Sequence, residues 1–168
     1  FWIFDDGFHR LESINLNNYY GYINDKVLGK YHMGCTDYSP VLKDVQRKYI
    51  KEEPANLPNY IIFITDGNNS DRAATNQIIT EMSKDPIFIQ FIGIGDDEFQ
   101  YLERLDEMNG RYVDNANFFA LPDIINIQDN ELYSLLLKEY PQWLDYPEVK
   151  KMIANQGKNG FFSKLFKK

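Results

Sequence analysis

The chain has 168 residues and a mass of 19.8 kDa, with 43% hydrophobic and 15% aromatic residues. That supplies a core for one domain, or one domain plus a tail, and excludes a disordered chain; no apolar run is long enough to span a bilayer. From Lys150 onward there are six lysines and no acid, so of 18 basic and 25 acidic residues 12 and 25 precede it, a net charge of −13. An acidic body with a basic tail lacks the footprint of a nucleic-acid binder.

A single cysteine, Cys35, excludes an internal disulfide and a multi-thiolate zinc site, and fits a reducing, cytoplasmic setting. Residues 1–4 are too short for a secretory signal core. The chain starts with Phe1 rather than an initiator methionine and is read as a fragment.

Residues 1–4 form an apolar run ending in carboxylates and read as a strand, with the partly alternating residues 8–14 placed to pair beside it. Asn17 is a candidate cap for a helix carrying Tyr19, Tyr20, Ile23, Val27 and Leu28, closed by Gly29. Residues 30–38 read as a loop. Ser39-Pro40 then supplies an N-cap and a proline at the first helical position, and Val41, Leu42, Val45, Tyr49 and Ile50 make the buried stripe of that helix. Pro54 and Pro58 end it.

The central stretch is residues 60–67, Tyr-Ile-Ile-Phe-Ile-Thr-Asp-Gly. With nothing polar alternating along it, it reads as a parallel strand buried on both faces, ending at Asp66. In open α/β sheets ligands bind outside the carboxyl ends of the strands, which is where Asp66 falls. A polar loop leads to a helix over residues 72–84, stopped by Asp85-Pro86. Residues 87–95 are a second apolar strand, spaced for a parallel crossover. Asp96-Asp97-Glu98 opens a helix running to about residue 109, with Gly110 as C-cap. Tyr112-Val113 reads as a short strand and residues 115–119 as a turn holding two aromatics. Leu132, Leu135, Leu136 and Tyr140 mark a last body helix ended by Pro141, with Trp143 packing back on the sheet. Pro147 opens a short helix to about residue 155, and residues 157–160 read as flexible. The fold class is α/β, a doubly wound, mostly parallel sheet flanked by helices. Residues 1–145 form the domain, and residues 146–168 a short helix and basic tail.

The sequence contains no phosphate loop, no GxSxG elbow and no HExxH. Gly93-Ile94-Gly95 lacks the third glycine of a dinucleotide fingerprint, Glu98 standing in its place. The Asp66 loop fails as an EF-hand, since Asp71 holds the glycine position and Gln77 the glutamate position. Asn68-Asn69-Ser70 is a formal glycosylation sequon, read as loop polarity. His9 and His32 accompany no nucleophile, and Cys35 reads as packing. What remains is a loop hydroxyl, Thr36, and a strand-end carboxylate, Asp66. Both are hard oxygen donors suited to Mg²⁺, Mn²⁺ or Ca²⁺. The plainer reading makes Asp66-Gly67 the turn out of the strand and Thr36 packing beneath the helix that follows.

Residues 63–67 resemble the strand-end motif of von Willebrand factor type A (vWA) domains, and residues 34–40 their threonine loop. Residues 87–95, Leu105-Asp106, residues 110–119, Glu131-Leu132-Tyr133 and residues 141–144 resemble the TerF-like branch of bacterial tellurium-resistance and stress-response proteins. The resemblance implies a Rossmann-like vWA fold and a metal-ion-dependent adhesion site (MIDAS). Thr36 and Asp66 match two of that site's metal ligands. Its DxSxS loop occurs nowhere in this chain, and in the family that loop, its strand and its helix precede the segment matching Phe1; they are expected upstream.

The resemblance implies a non-catalytic module that captures a protein partner, through a carboxylate, on a bound Mg²⁺ or Mn²⁺ ion, with Ca²⁺ the third choice. Asp37 and Asp71 are candidate carboxylates that either support the ligands from behind or line the rim. One alternative is an interaction domain with a degenerate metal site, contacting partners through Phe118-Phe119; another is a metal-dependent hydrolase using Asp66 and Asp71. The tail, with Phe161, Phe162, Leu165 and Phe166 among Lys158, Lys164, Lys167 and Lys168, is read as loose or docked on the acidic body in preference to a membrane-surface helix.

Overall fold

The structure is a computed structural model. It describes residues 1–31, 34–67, 69–95 and 98–165, and side chains as far as Gln156. The expected tail residues Phe161, Phe162, Leu165, Lys158 and Lys164 lie beyond the described side chains, and Phe166, Lys167 and Lys168 beyond the described residues.

Three parallel strands in the order β3-β4-β5 form the sheet. β3 (Asn59–Thr65) pairs with β4 (Ile87–Ile94) over seven residue pairs from Asn59–Ile87 to Thr65–Gly93. β4 pairs with β5 (Ala116–Leu121). β4 is buried almost throughout, as its apolar run demands.

Helices cover both faces, which makes the domain α/β and doubly wound. On one face Phe63, Ile87, Ile89, Phe91 and Ala116 pack with residues from three helices. These are α2 (Ser39–Gln46), α3 (Arg72–Met82) and α4 (Gln100–Asp106). On the other face Phe88 and Tyr60 meet Trp143 and Tyr140 of α6 (Tyr140–Asp145) and Val149 of α7 (Pro147–Leu165). Trp143 is 1% exposed, its ring 5.5 Å from that of Phe88, so it does pack back on the sheet.

β1 (Trp2–Phe4) and β2 (Phe8–Arg10) form a separate antiparallel hairpin. A buried carboxylate ties it to the body. Asp44 of α2, 3% exposed, accepts from Trp2 Nε1 at 2.8 Å and Arg10 Nε at 2.9 Å, and from the Arg47 guanidinium. Burial works to raise the Asp44 pKa, but hydrogen bonds from Arg10, Trp2 and Arg47 outweigh it and leave the group below its ordinary value. Beyond Gln46 the helix widens into a π-helical segment, Arg47–Glu52, and Gln156 of α7 donates to the Tyr49 carbonyl at 2.8 Å.

Several sequence expectations need correction. Ile62 and Ile64 are each 49% exposed, so β3 is not buried on both faces: the helices on that side stop at Tyr60. Residues 115–119 are not a turn. Residues 116–119 open strand β5, because buried Asn117 and Gln90 satisfy each other (Asn117 Nδ2 to Gln90 Oε1, 3.1 Å), making polar residues tolerable in a buried strand. Tyr112-Val113 is loop. The helix expected after Asn17 shrinks to α1 (Tyr22–Lys26), whose N-cap is Gly21. Tyr19, Tyr20, Ile23 and Leu28 are exposed, and in this segment only Tyr22 is buried. α4 starts at Gln100, later than expected; Asp96 and Asp97 lie outside the described residues. The last body helix, α5 (Asp129–Leu136), buries no residue, and Pro141 stands in the first turn of α6 rather than only ending a helix. α7 continues to Leu165, past the glycines expected to be flexible.

Removing Asp44 leaves Trp2 Nε1 and Arg10 Nε without their acceptor while Arg10 keeps Glu52 at 2.6 Å, so Asp44→Ala should cost about 1–3 kcal/mol in urea unfolding. Trp2→Phe removes one hydrogen bond and should cost about 1–2 kcal/mol. On α4, burial first, then Glu139 and Asp114, raise the Asp106 pKa to about 6. A raised carboxyl pKa contributes stability below the unfolded value near 3.9 that is lost as pH climbs through the folded one. Asp106→Asn should therefore melt above the parent at pH 7.5 and level with it at pH 4.

Candidate functional site

The site expected from the sequence lies at the carboxyl end of β3. Here Asp66 leaves the sheet exposed, and Gly67 turns the chain with φ +102°, a backbone open mainly to glycine. Space is as restrictive as conformation. A Cβ on Gly67 would stand 2.7 Å from Cδ1 of Phe99, and one on Gly93 of β4 2.6 Å from Cε1 of the same ring. The glycine of the Gly93-Ile94-Gly95 pattern thus makes room for a side chain of this protein, which accounts for it without a dinucleotide.

The Thr36 loop is laced to this strand end. Tyr38, fully buried, meets Thr65 through its hydroxyl at 2.8 Å, and Thr65 Oγ1 accepts from the Gly67 amide at 3.2 Å. Burial pushes the Tyr38 hydroxyl up to about 12, so it stays neutral. The Ser70 amide donates to the Thr36 carbonyl at 2.9 Å. The two candidate ligands therefore sit on adjoining loops: Thr36 lies two residues before Tyr38, and Asp66 directly after Thr65. Asp66 is exposed and Thr36 half-buried, and among the described residues no hydrogen bond engages the side chain of either.

Asp71 is bonded to the chain that follows the Thr36 loop. It stands at the N-cap of α3, yet its side chain makes no capping bond to that helix. Its Oδ1 accepts from the Tyr38 amide (3.0 Å), the Asn69 side-chain amide (3.0 Å) and the Thr75 hydroxyl (2.8 Å), and its Oδ2 from the Ser39 amide (2.9 Å). Each carboxylate oxygen offers about two acceptor positions. Three donors crowd Oδ1 and one engages Oδ2, so this carboxylate is committed mainly to internal hydrogen bonds. The sequence hid this because Ser39-Pro40 reads as a self-capped helix start. Ser39 is instead the first residue of α2, and Tyr38 at the N-cap position makes no side-chain cap.

Asp37 is half-buried. Its amide donates to the Asp5 carbonyl at 2.7 Å, and its pKa is raised by burial, then by Asp71 and Asp6. Asn68 and His32 lie outside the described residues, and Cys35 is exposed and free. Among the described residues no three His, Cys, Asp or Glu side chains group closely enough to hold a metal ion.

Residues 1–153 match the family model of the TerF-like vWA domain, described as the vWA domain found in the TerF C terminus. The chain belongs to the TerF-like vWA family. A Bacillus subtilis (strain 168) protein described as "Uncharacterized protein YcbR" is 39% identical over 177 residues, covering 99% of this chain and 72% of that protein. Copine-F of Dictyostelium discoideum is 26% identical over 135 residues, covering 71% of this chain and 24% of Copine-F. No helix among the described residues is long and apolar enough to cross a membrane.

Gly93→Ala drives a methyl group into the Phe99 ring and should cost about 1–3 kcal/mol by overpacking. Shrinking the ring should relieve it: in urea unfolding, the Gly93→Ala, Phe99→Leu pair should be destabilised by less than the sum of the two single changes.

Proposed function

We propose that this TerF-like vWA domain is a non-catalytic binding module, in which a divalent cation held at the carboxyl end of β3 captures a carboxylate of a protein partner. Thr36 would supply a hydroxyl and Asp66 a carboxylate, hard oxygens that suit Mg²⁺ or Mn²⁺, with Ca²⁺ next. Two ligands do not fill a six-coordinate sphere, so water, the partner and residues beyond this sequence would supply the rest. The observation that carries the reading is that two loops are fastened side by side at the sheet end while, among the described residues, the side-chain oxygens of Thr36 and Asp66 have no hydrogen-bond partner.

In a body of net charge −13, local positive charge is what an acidic partner would need. The hydrolase alternative is weakened at Asp71, whose Oδ1 already accepts three internal hydrogen bonds and whose Oδ2 accepts from the Ser39 amide. The second reading, an interaction domain with a degenerate metal site, rests on the absence of DxSxS from these 168 residues. Its suggested contact at Phe118-Phe119 is weakened by their place in a strand, with Phe118 against Phe99 at 5.7 Å. A role in tellurium resistance or stress response, in the cytoplasm, follows the family and remains part of the proposal.

The test is the melting temperature of the chain with Mn²⁺ or Mg²⁺ against a chelator. A cation that binds only the folded state adds about 2.7 kcal/mol at a hundred times its dissociation constant. The expected outcome is a rise that grows with the logarithm of cation concentration and disappears in Asp66→Ala. A parent that melts alike in cation and chelator would favour the degenerate-site reading.

A further inference from the structure

We propose that Asp71 is a positioning residue, which buckles the Thr36 loop to the Asp66 loop so that the two candidate ligands are presented as one unit. The inference rests on the cation-binding reading for what the unit does, and on hydrogen bonding alone for its existence.

An aspartate at an N-cap ordinarily turns its carboxylate onto the amides of its own helix. Asp71 caps the neighbouring helix instead, accepting from Tyr38 and Ser39 at the start of α2. Those amides need an acceptor from elsewhere, since Tyr38 offers no side-chain cap of its own. An ionised carboxylate is the strongest acceptor available, and a helix N-terminus favours negative charge. Thr75 and Asn69 hold the carboxylate in place from its own side of the contact.

The buckle brackets the candidate ligands. Thr36 is held at its carbonyl by the Ser70 amide, and the chain two and three residues later is held by Asp71. The loop carrying Asp66 is fixed at one end by strand pairing and the Tyr38–Thr65 contact, and at the other by Asp71. Two anchor points on each loop define a relative placement; one leaves a hinge. Without Asp71 the Thr36 loop would keep the Tyr38 hydroxyl contact and lose its hold at the base of α2.

The test is amide hydrogen exchange by NMR on the whole chain, comparing the parent with Asp71→Asn, followed by Mn²⁺ titration of the melting temperature. Asparagine keeps the shape but removes the charge and places an N–H₂ group where an oxygen accepted. Exchange at Tyr38, Ser39 and Ser70 should quicken by about 10- to 100-fold, the range expected for losing a hydrogen bond to a charged group. Phe91 and its neighbours in β4 should keep parental rates. The Mn²⁺-induced rise should fall by at least half, although Thr36 and Asp66 are untouched. Parental exchange at the three amides, or a uniform increase reaching β4, would overturn the proposal.

Should Asp71→Asn fail to fold, Thr75→Val, which removes one of the four donors, takes its place; a few-fold quickening at the same amides supports the buckle and parental rates there overturn it. A parent without a Mn²⁺ response sinks the cation reading alone, and the exchange pattern then decides for or against the buckle.

Discussion

Helix α2 is held by two carboxylates that water does not fully reach, and much of the molecule is arranged around satisfying them. At its start, Asp71 accepts from the first amides of the helix. Along its length, Asp44 gathers Trp2, Arg10 and Arg47. A buried charge without donors is expensive, so each carboxylate constrains where its partners can go. Asp44 fixes the β1–β2 hairpin, which shares no ladder with the parallel sheet. Asp71 fixes the loop between β3 and α3. The hydrophobic stripe of Val41, Leu42 and Val45 supplies the adhesion, and the two carboxylates supply the orientation.

The same economy governs the end of the sheet where the candidate site lies. Phe99 lies over two glycines, one in the turn after β3 and one in β4, and fills the space their missing side chains leave. Tyr38 reaches the end of β3 from beneath and bonds Thr65. With aromatic rings and internal hydrogen bonds occupying the interior, the groups left to face outward are Asp66, Thr36 and Asp37. A binding surface made of loop oxygens on a rigid sheet end is the arrangement that α/β folds commonly use for ligands.

The family places this domain among TerF-like vWA domains, and the match to Copine-F covers only 24% of that protein. A domain that recurs inside larger chains is best understood by what its own surface offers. Here that surface is acidic, with half-exposed Ile62 and Ile64 on an edge strand and a polar rim at the strand ends.

Read alone, the sequence determined the strands β3 and β4, the helix between them, the buried stripe of α2 and the docking of Trp143. Each carries a local signal: an unbroken apolar run, a helical period, or an aromatic residue too large to leave in water. The residues Thr36 and Asp66 were legible as a pair only through chemistry and family motif. What tertiary structure decided was every case in which one segment completes another. Asn117 joins a strand because Gln90 stands opposite. Gly93 in β4 serves Phe99, and Ile62 lies exposed because the helices on that face stop at Tyr60. Asp71 caps a helix that begins 32 residues before it. Hydrogen bonds between residues distant in the chain leave no periodicity behind, since what selects them is the cost of an unpaired polar group at one place in space.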